Sequence, residues 1–200
     1  MFKRSMVLCA LSAWLAAATS VQATSLDASY AFGADSTIDY HLVHPLHRVK
    51  GVSHGLKGRI VVLKDRLQTP MTLELPLISF RSGNANRDGN AAATLEVQKF
   101  PLATLLVQRF EEKERASVGD ALRVAGVAHG QLSLHGVSLP VAIPLTALAR
   151  PGGVTVEAEF DVSLTAHAIP RPSLLFNPVE DNVKVVVHGV AHPAAANPSP

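Results

Sequence analysis

The chain has 200 residues, 48% hydrophobic but only 5% aromatic, with 18 Lys plus Arg against 16 Asp plus Glu. That length suits one domain with its own core, and a net charge of +2 is too small an excess for an electrostatic grip on nucleic acid. The surplus, Lys3 and Arg4, lies in the first 23 residues with the only Cys (Cys9) and the only Trp (Trp14), so the remainder is formally neutral and has no thiol for disulfides or nucleophilic chemistry.

Residues 1–23 read as a cleavable secretory leader. Lys3 and Arg4 precede an apolar run over 6–18, and Val21-Gln22-Ala23 places small residues where a signal peptidase reads, with cleavage after Ala23. The run is shorter than the roughly 20 apolar residues of a membrane-spanning helix, so no membrane anchor is expected. Cys9 lies inside the run without the small residue that precedes a lipidated cysteine. The mature chain is expected to be periplasmic or secreted.

Period-two alternation, the mark of a strand with one buried face, recurs through the rest. STIDYHLVH (36–44) and GRIVVLKD (58–65) come first. MTLELPLISF (71–80) places Met71, Leu73, Leu75 and Leu77 on one side. The stretch 82–101, SGNANRDGNAAATLEVQKFP, interrupts the pattern. It predicts a polar loop, then a short helix near 88–98 capped by Asn90 and closed by Phe100-Pro101. Gly83 and Gly89 have the wrong spacing for a dinucleotide loop.

LATLLVQRF (102–110) is the next strand, and EEKER (111–115) reads as a charged hairpin tip. LRVAGVAHGQLSLHG (122–136) and SLPVAIPLTAL (138–148) form a hairpin about Gly136. Its inward residues are Leu132 and Leu134 on the first arm, then Leu139, Val141, Ile143 and Leu145 on the second. Gly126 and Gly130, on the same inward face, mark a bend or close backbone approach. VTVEAEFDVSLTAH (154–167) sets Val154, Val156, Ala158, Phe160, Val162, Leu164 and Ala166 against Thr155, Glu157, Glu159, Asp161, Ser163 and Thr165. NVKVVVHGV (182–190) is the last strand, and residues 193–200 form a Pro- and Ala-rich disordered tail after a single domain over 24–192. About eight antiparallel strands, each with one wet face, define an all-β protein, a sandwich or a closed barrel.

Chemistry-bearing motifs are sparse. His41, His44 and His47 have His-x-x-His-x-x-His spacing, but on a strand His44 faces away from the other two, so no metal site is assigned. GVSHG (51–55) fits Gly-x-Ser-x-Gly around Ser53, yet a strand follows where the nucleophile elbow needs a helix, which makes it a glycine-rich turn. Glu157, Glu159 and Asp161 read as a solvated face. Arg87 and Asp88 suit a turn that ties the loop to the body; Arg87 is also the best donor for a phosphate headgroup, because a guanidinium matches its oxygens bidentately.

Three segments in order resemble the YceI family: STIDYHLVHPLHRVKGVSHGLKGRI, NRDGN…LEVQKFPLAT and LRVAGVAHGQLSLHGVSLPVAI. The sequence departs from the family pattern at Asn90, where His is common, and in its few aromatic residues. The resemblance implies an extended, lipocalin-like antiparallel barrel with one short helix, exported to the periplasm and binding a long isoprenoid lipid. The ligand-facing residues are then expected to be Leu73, Leu75, Leu77, Leu132, Leu134, Val141, Ile143, Val156, Phe160 and Val162, with Arg87 at a headgroup. The expected partner is an apolar lipid such as a polyisoprenoid or isoprenoid quinone, with no nucleic acid, cofactor, metal or catalytic residues; a homodimer is compatible. The alternative is a ligand-free envelope stress or interaction protein with a filled barrel core.

Overall fold

The computed structural model describes residues 27–44, 47–174 and 177–194; the leader over 1–23 and the end of the tail lie outside the described residues. In chain order, β1 (Ala28–Phe32), β2 (Thr37–His44), β3 (His47–Ser53), β4 (Lys57–Leu63), β5 (Arg66–Leu67) and β6 (Met71–Pro76) lead to a 3-10 turn (Leu77–Ser79) and to α1 (Ala85–Thr94). Then come β7 (Leu102–Val118), β8 (Ala121–Leu134), β9 (Val137–Arg150), β10 (Gly153–Ser163), the small β11 (Ser173–Leu174) and β12 (Asn177–Pro178) hairpin, and β13 (Asn182–Pro193).

All the described pairings are antiparallel, and β1 bonds β4 on one side and β13 on the other, which closes the sheet. β1 with β2, and β3 with β4, act as two long interrupted strands, so the wall has eight staves and the fold is a closed antiparallel barrel. One end of the barrel carries α1 and residues 164–174 and 177–181; the other carries the turns at 64–65, 119–120 and 151–152.

The two interruptions are stitched by buried serines. Ser36, fully buried, donates to the Val190 carbonyl at 3.1 Å and accepts from the Val190 N–H at 3.0 Å, replacing ladder bonds that the kink between β1 and β2 removes. Ser53, also fully buried, accepts from Gly55 N–H at 3.0 Å and lies 2.6 Å from the Ser79 hydroxyl, which donates to the Pro76 carbonyl. GVSHG is therefore a strand break, with Ser53 bonded into the wall. Unsatisfied, each of these buried groups would cost about 1–3 kcal/mol.

β7 curls hardest. Its ladder with β8 shifts register between Val107 and Arg109 and again between Glu112 and Glu114, opposite Gly130 and Gly126. A Cβ on Gly130 would lie 1.9 Å from the Leu106 carbonyl oxygen, and one on Gly126 would lie 2.4 Å from that of Glu111. The glycines thus admit the β7 backbone where its bulges bend it inward.

Three expectations are corrected. Residues 111–115 lie inside β7, and the tip falls at Gly119-Asp120; Glu111 and Lys113 face outward and pair, while Glu112 and Arg115 face inward and pair, so a charged run stays within one strand. The α1 cap is Asn84, whose side chain accepts from Arg87 N–H at 3.1 Å, and the helix ends at Thr94. Asn84 prevails over Asn90 because Ser82, just before it, binds Asp88 through its N–H and hydroxyl and fixes the first turn. β10 stops at Ser163, where Asp181 accepts from Ser163 and from Thr165 N–H and turns the chain, so Ala166 leaves the inward face.

Gly130→Ala should lower stability by about 2–3 kcal/mol, or about 4–12 °C in thermal midpoint, whereas Gly152→Ala, with nothing within 4 Å of the added Cβ, should leave the midpoint unchanged. Equal midpoints in the two variants would remove the close-approach account. Hydrogen bonds from Lys113 and then His129 lower the Glu111 carboxyl to about 2. A depressed carboxyl favours the fold above its unfolded range, and that contribution fades as pH falls toward about 2. An NMR titration should place the Glu111 midpoint there and move it up in Lys113→Met.

Candidate ligand-binding cavity

Between the two ends of the barrel lies a cavity of about 720 Å³. It follows from sequence: inward positions carry aliphatic side chains, many of them small, such as Ala103, Ala128, Ala147 and Ala158. At the turn end a buried cluster of Tyr30, Ile60, Val154 and Ala191 narrows the interior; at the helix end Leu164, Ile169, Val179 and Val183 do so.

The alternation placed many of the wall residues. Leu73, Leu75 and Leu77 line the cavity from β6 and the turn after it, Leu132 and Leu134 from β8, Ile143 from β9, and Val156, Phe160 and Val162 from β10. Arg87 lines it from α1. Val141 does not; it is half-buried opposite Gly130, at the level where the β7 backbone comes closest. Sequence reasoning left out Ile38 and Tyr40 on β2 and Val183, Val185 and Val187 on β13, although the period-two signal runs through both strands, and Leu105 and Phe110 on β7, where a bulge breaks it.

Charged groups reach the cavity mainly at its ends. At the turn end, Glu112 receives Arg115 Nε at 2.8 Å and Nη2 at 2.7 Å, and the same Nη2 donates to the Asp65 carbonyl at 2.9 Å. The Arg115 bonds hold the Glu112 carboxyl below its usual range, and the same pairing raises Arg115. β6 pairs β7 only up to Val107, so this contact ties the overhanging half of β7 to the β4–β5 turn.

At the helix end, Arg81, Arg87, Asp88, Tyr40 and His44 line the cavity. Val52 and Arg81 exchange backbone bonds at 2.9 and 2.8 Å, drawing the segment before α1 onto β3. Hydrogen bonds from the Ser82 side chain and backbone hold the Asp88 carboxyl below its usual range. Arg81 Nη1 donates to the Ile78 and Phe80 carbonyls at 2.7 Å each. Burial raises the Tyr40 phenol, and the Phe80 ring meets it edge-on at 5.2 Å.

The remaining histidines are scattered. His44 is buried at the cavity wall, His41 does not line it, and the His47 side chain lies outside the described residues. His129 pairs with Glu111, His188 with Glu157 and His192 with Asp35, while His135 meets the Phe100 ring at a 60° tilt and buried His167 faces the Val137 carbonyl. Among the described residues no three His, Cys, Asp or Glu side chains converge. Nor is any described helix long and apolar enough to cross a membrane.

A closed antiparallel barrel around an elongated apolar cavity, with one helix at its mouth, defines a lipocalin-like architecture. The YceI-like domain matches residues 21–191, and the chain belongs to that family. The fold is similar to a polyisoprenoid binding domain from Saccharophagus degradans implicated in plant cell wall breakdown (16% identity, TM-score 0.66, covering 84% of this chain and 99% of that one). It is also similar to Burkholderia cenocepacia BcnA (17%, 0.60, 78% and 96%) and to a Campylobacter jejuni YCEI protein (13%, 0.54, 73% and 85%). No curated protein matches the chain in sequence.

Arg115→Ala should speed amide hydrogen exchange at Asp65 and in β5 while the centre of the β8–β9 ladder keeps its protection. Unchanged exchange at Asp65 would mean that the Arg115 contact does not hold the β4–β5 turn to β7.

Proposed function

We propose that the protein is an exported binding protein that holds one long, single-chain apolar lipid of isoprenoid type, such as a polyisoprenoid or isoprenoid quinone, inside its barrel. The observation that carries this reading is the cavity itself: about 720 Å³, walled by aliphatic side chains, with charged groups mainly at its ends. That volume falls within the range of about 300–1,000 Å³ typical of small-molecule sites. β10 has 11 residues. At about 3.4 Å per residue and a tilt of about 40°, the barrel is about 28 Å tall, the scale of an extended lipid tail.

Each methylene moved from water to such a wall gains about 0.8 kcal/mol, so a long tail needs no polar site for affinity. The leader pattern in residues 1–23 supports export, and binding of a polyisoprenoid by the similar Saccharophagus domain supports the ligand class. On this reading Leu73, Leu75, Leu77, Leu132, Leu134, Ile143, Val156, Phe160 and Val162 touch the tail, no residue is catalytic, and no metal or cofactor takes part. The filled-core alternative has less support, because side chains of the wall leave this volume between them.

Native mass spectrometry of protein purified from its own host should show an added mass that denaturation releases as an apolar molecule, and should report the oligomeric state in the same spectrum. Ala158→Trp, which places an indole into the cavity, should cut uptake of a prenyl alcohol about tenfold or more and abolish the rise in thermal midpoint that the alcohol gives the wild type. Bare polypeptide in every preparation, with no uptake of added prenyl lipid, would overturn the reading.

A further inference from the structure

The two ends of the cavity differ in whether their polar groups are satisfied. At the turn end Arg115 is matched by both oxygens of Glu112 and by the Asp65 carbonyl. At the helix end Ser82 donates to Asp88 Oδ1 through its N–H and hydroxyl, and Arg81 donates from Nη1 to two backbone carbonyls. Two further donor groups make no such bond. Among the described residues, the half-buried Arg87 guanidinium has no hydrogen-bond or ion-pair partner, and neither does the Tyr40 hydroxyl; both residues line the cavity.

Both donors line the cavity at the helix end, and the Tyr40 ring is pinned. Phe80 meets it edge-on, and Gly51 leaves it room, because a Cβ there would lie 2.3 Å from the ring. A guanidinium fork beside a phenol O–H offers three or more N–H and O–H donors; the acceptors beside them are the phenol oxygen and the Asp88 carboxylate, one oxygen of which Ser82 already engages. In an apolar setting such a group is strongly completed by an anionic oxygen pair, which a guanidinium binds bidentately.

We propose that the helix end is a headgroup site for an acidic single-chain lipid, a phosphate monoester or a carboxylate, whose anionic oxygens accept from Arg87 and Tyr40. The hydrocarbon tail then runs toward the Tyr30 cluster at the turn end. This rests on the carrier reading above, and it adds a direction and a charge: the lipid enters tail first, and the headgroup stays at the mouth beside α1.

The test is competition of unlabelled lipids against a pyrene-labelled alkanol bound to the purified protein. Geranylgeranyl monophosphate and palmitate should bind about tenfold or more tighter than geranylgeraniol and hexadecanol, and the gap should narrow with salt. In Arg87→Gln the acids should fall to the level of the alcohols. Arg87→Lys, which keeps the charge and loses the fork, should retain part of the gap. Arg150→Gln, one positive charge fewer on the surface at the opposite end, should retain all of it.

A gap for the phosphate alone supports the site and assigns it to phosphate monoesters; a gap for palmitate alone supports it and assigns it to fatty acids. Acids and alcohols of equal affinity in the wild type, or a gap that survives Arg87→Gln, would overturn the headgroup site and leave the hydrocarbon cavity standing. Failure of all four lipids to compete would instead remove the carrier reading and this site with it.

Discussion

Closure of the sheet through β1 is the constraint on which the rest depends. Tyr30, Ala31 and Phe32 pair with Pro193, His192 and Ala191 on one side, and residues 28–31 pair with β4 on the other. The first and last strands thus meet across nearly the whole sequence, and every strand between them must curl to let them. An eight-stave ring encloses a space that side chains can just fill. Here many inward positions are Ala or Val, and Gly126 and Gly130 contribute no side chain, so the ring closes on more volume than it fills.

Closure also dictates where backbone strain is relieved. A strand long enough to span the barrel and curl cannot keep an unbroken ladder, and the wall interrupts it at residues 33–36 and 54–56. Each interruption exposes peptide groups in a place without water, where an unmet bond is costly. Ser36 and Ser53 meet them with hydroxyls, and His54 Nδ1 lies 3.1 Å from both the Ala34 and the Ser36 carbonyls, joining one interruption to the other. Ser53 extends this to Ser79, and the Val52–Arg81 bridge carries it to the segment that leads into α1. The mouth of the cavity is therefore anchored to the same polar seam that lets the barrel close.

Much of this was legible in the sequence where one physical signal dominated. Burial of one face imposes period two, so the aliphatic stripes of β6, β8 and β10 announced the cavity wall directly. The signal failed on β7 because each bulge adds a residue and reverses the parity: Ala103, Leu105 and Val107 face in, then Phe110 and Glu112, then Arg115. Read without the bulges, LATLLVQRFEEKERASV loses its period at Gln108 and resembles a strand followed by a charged turn. Nor could pattern reveal that Glu112 and Arg115 point inward, since paired charges in the wall look like any exposed pair. Gly126 and Gly130 were readable as a bend because only close backbone approach explains glycine twice on a buried face. Ser36 and Ser53 gave no such hint; their burial arises from pairing between segments far apart in the chain.

A wall of methyl groups that faces open space gains few dispersion contacts across it, so this barrel draws its own stability from the two end clusters, the ladders and the polar seam. On the carrier reading that division is functional. The parts that define the fold, Tyr30 with Ala191 at one end and Leu164 with Val183 at the other, are complete without a ligand. The aliphatic middle is completed by whatever chain enters it. Binding to the native state alone then adds stability that grows with the logarithm of ligand concentration above Kd, while departure leaves the fold intact, because no ladder bond or buried hydroxyl has to be remade. A protein that must take up and give back a water-insoluble molecule requires that separation between what holds the barrel shut and what fills it.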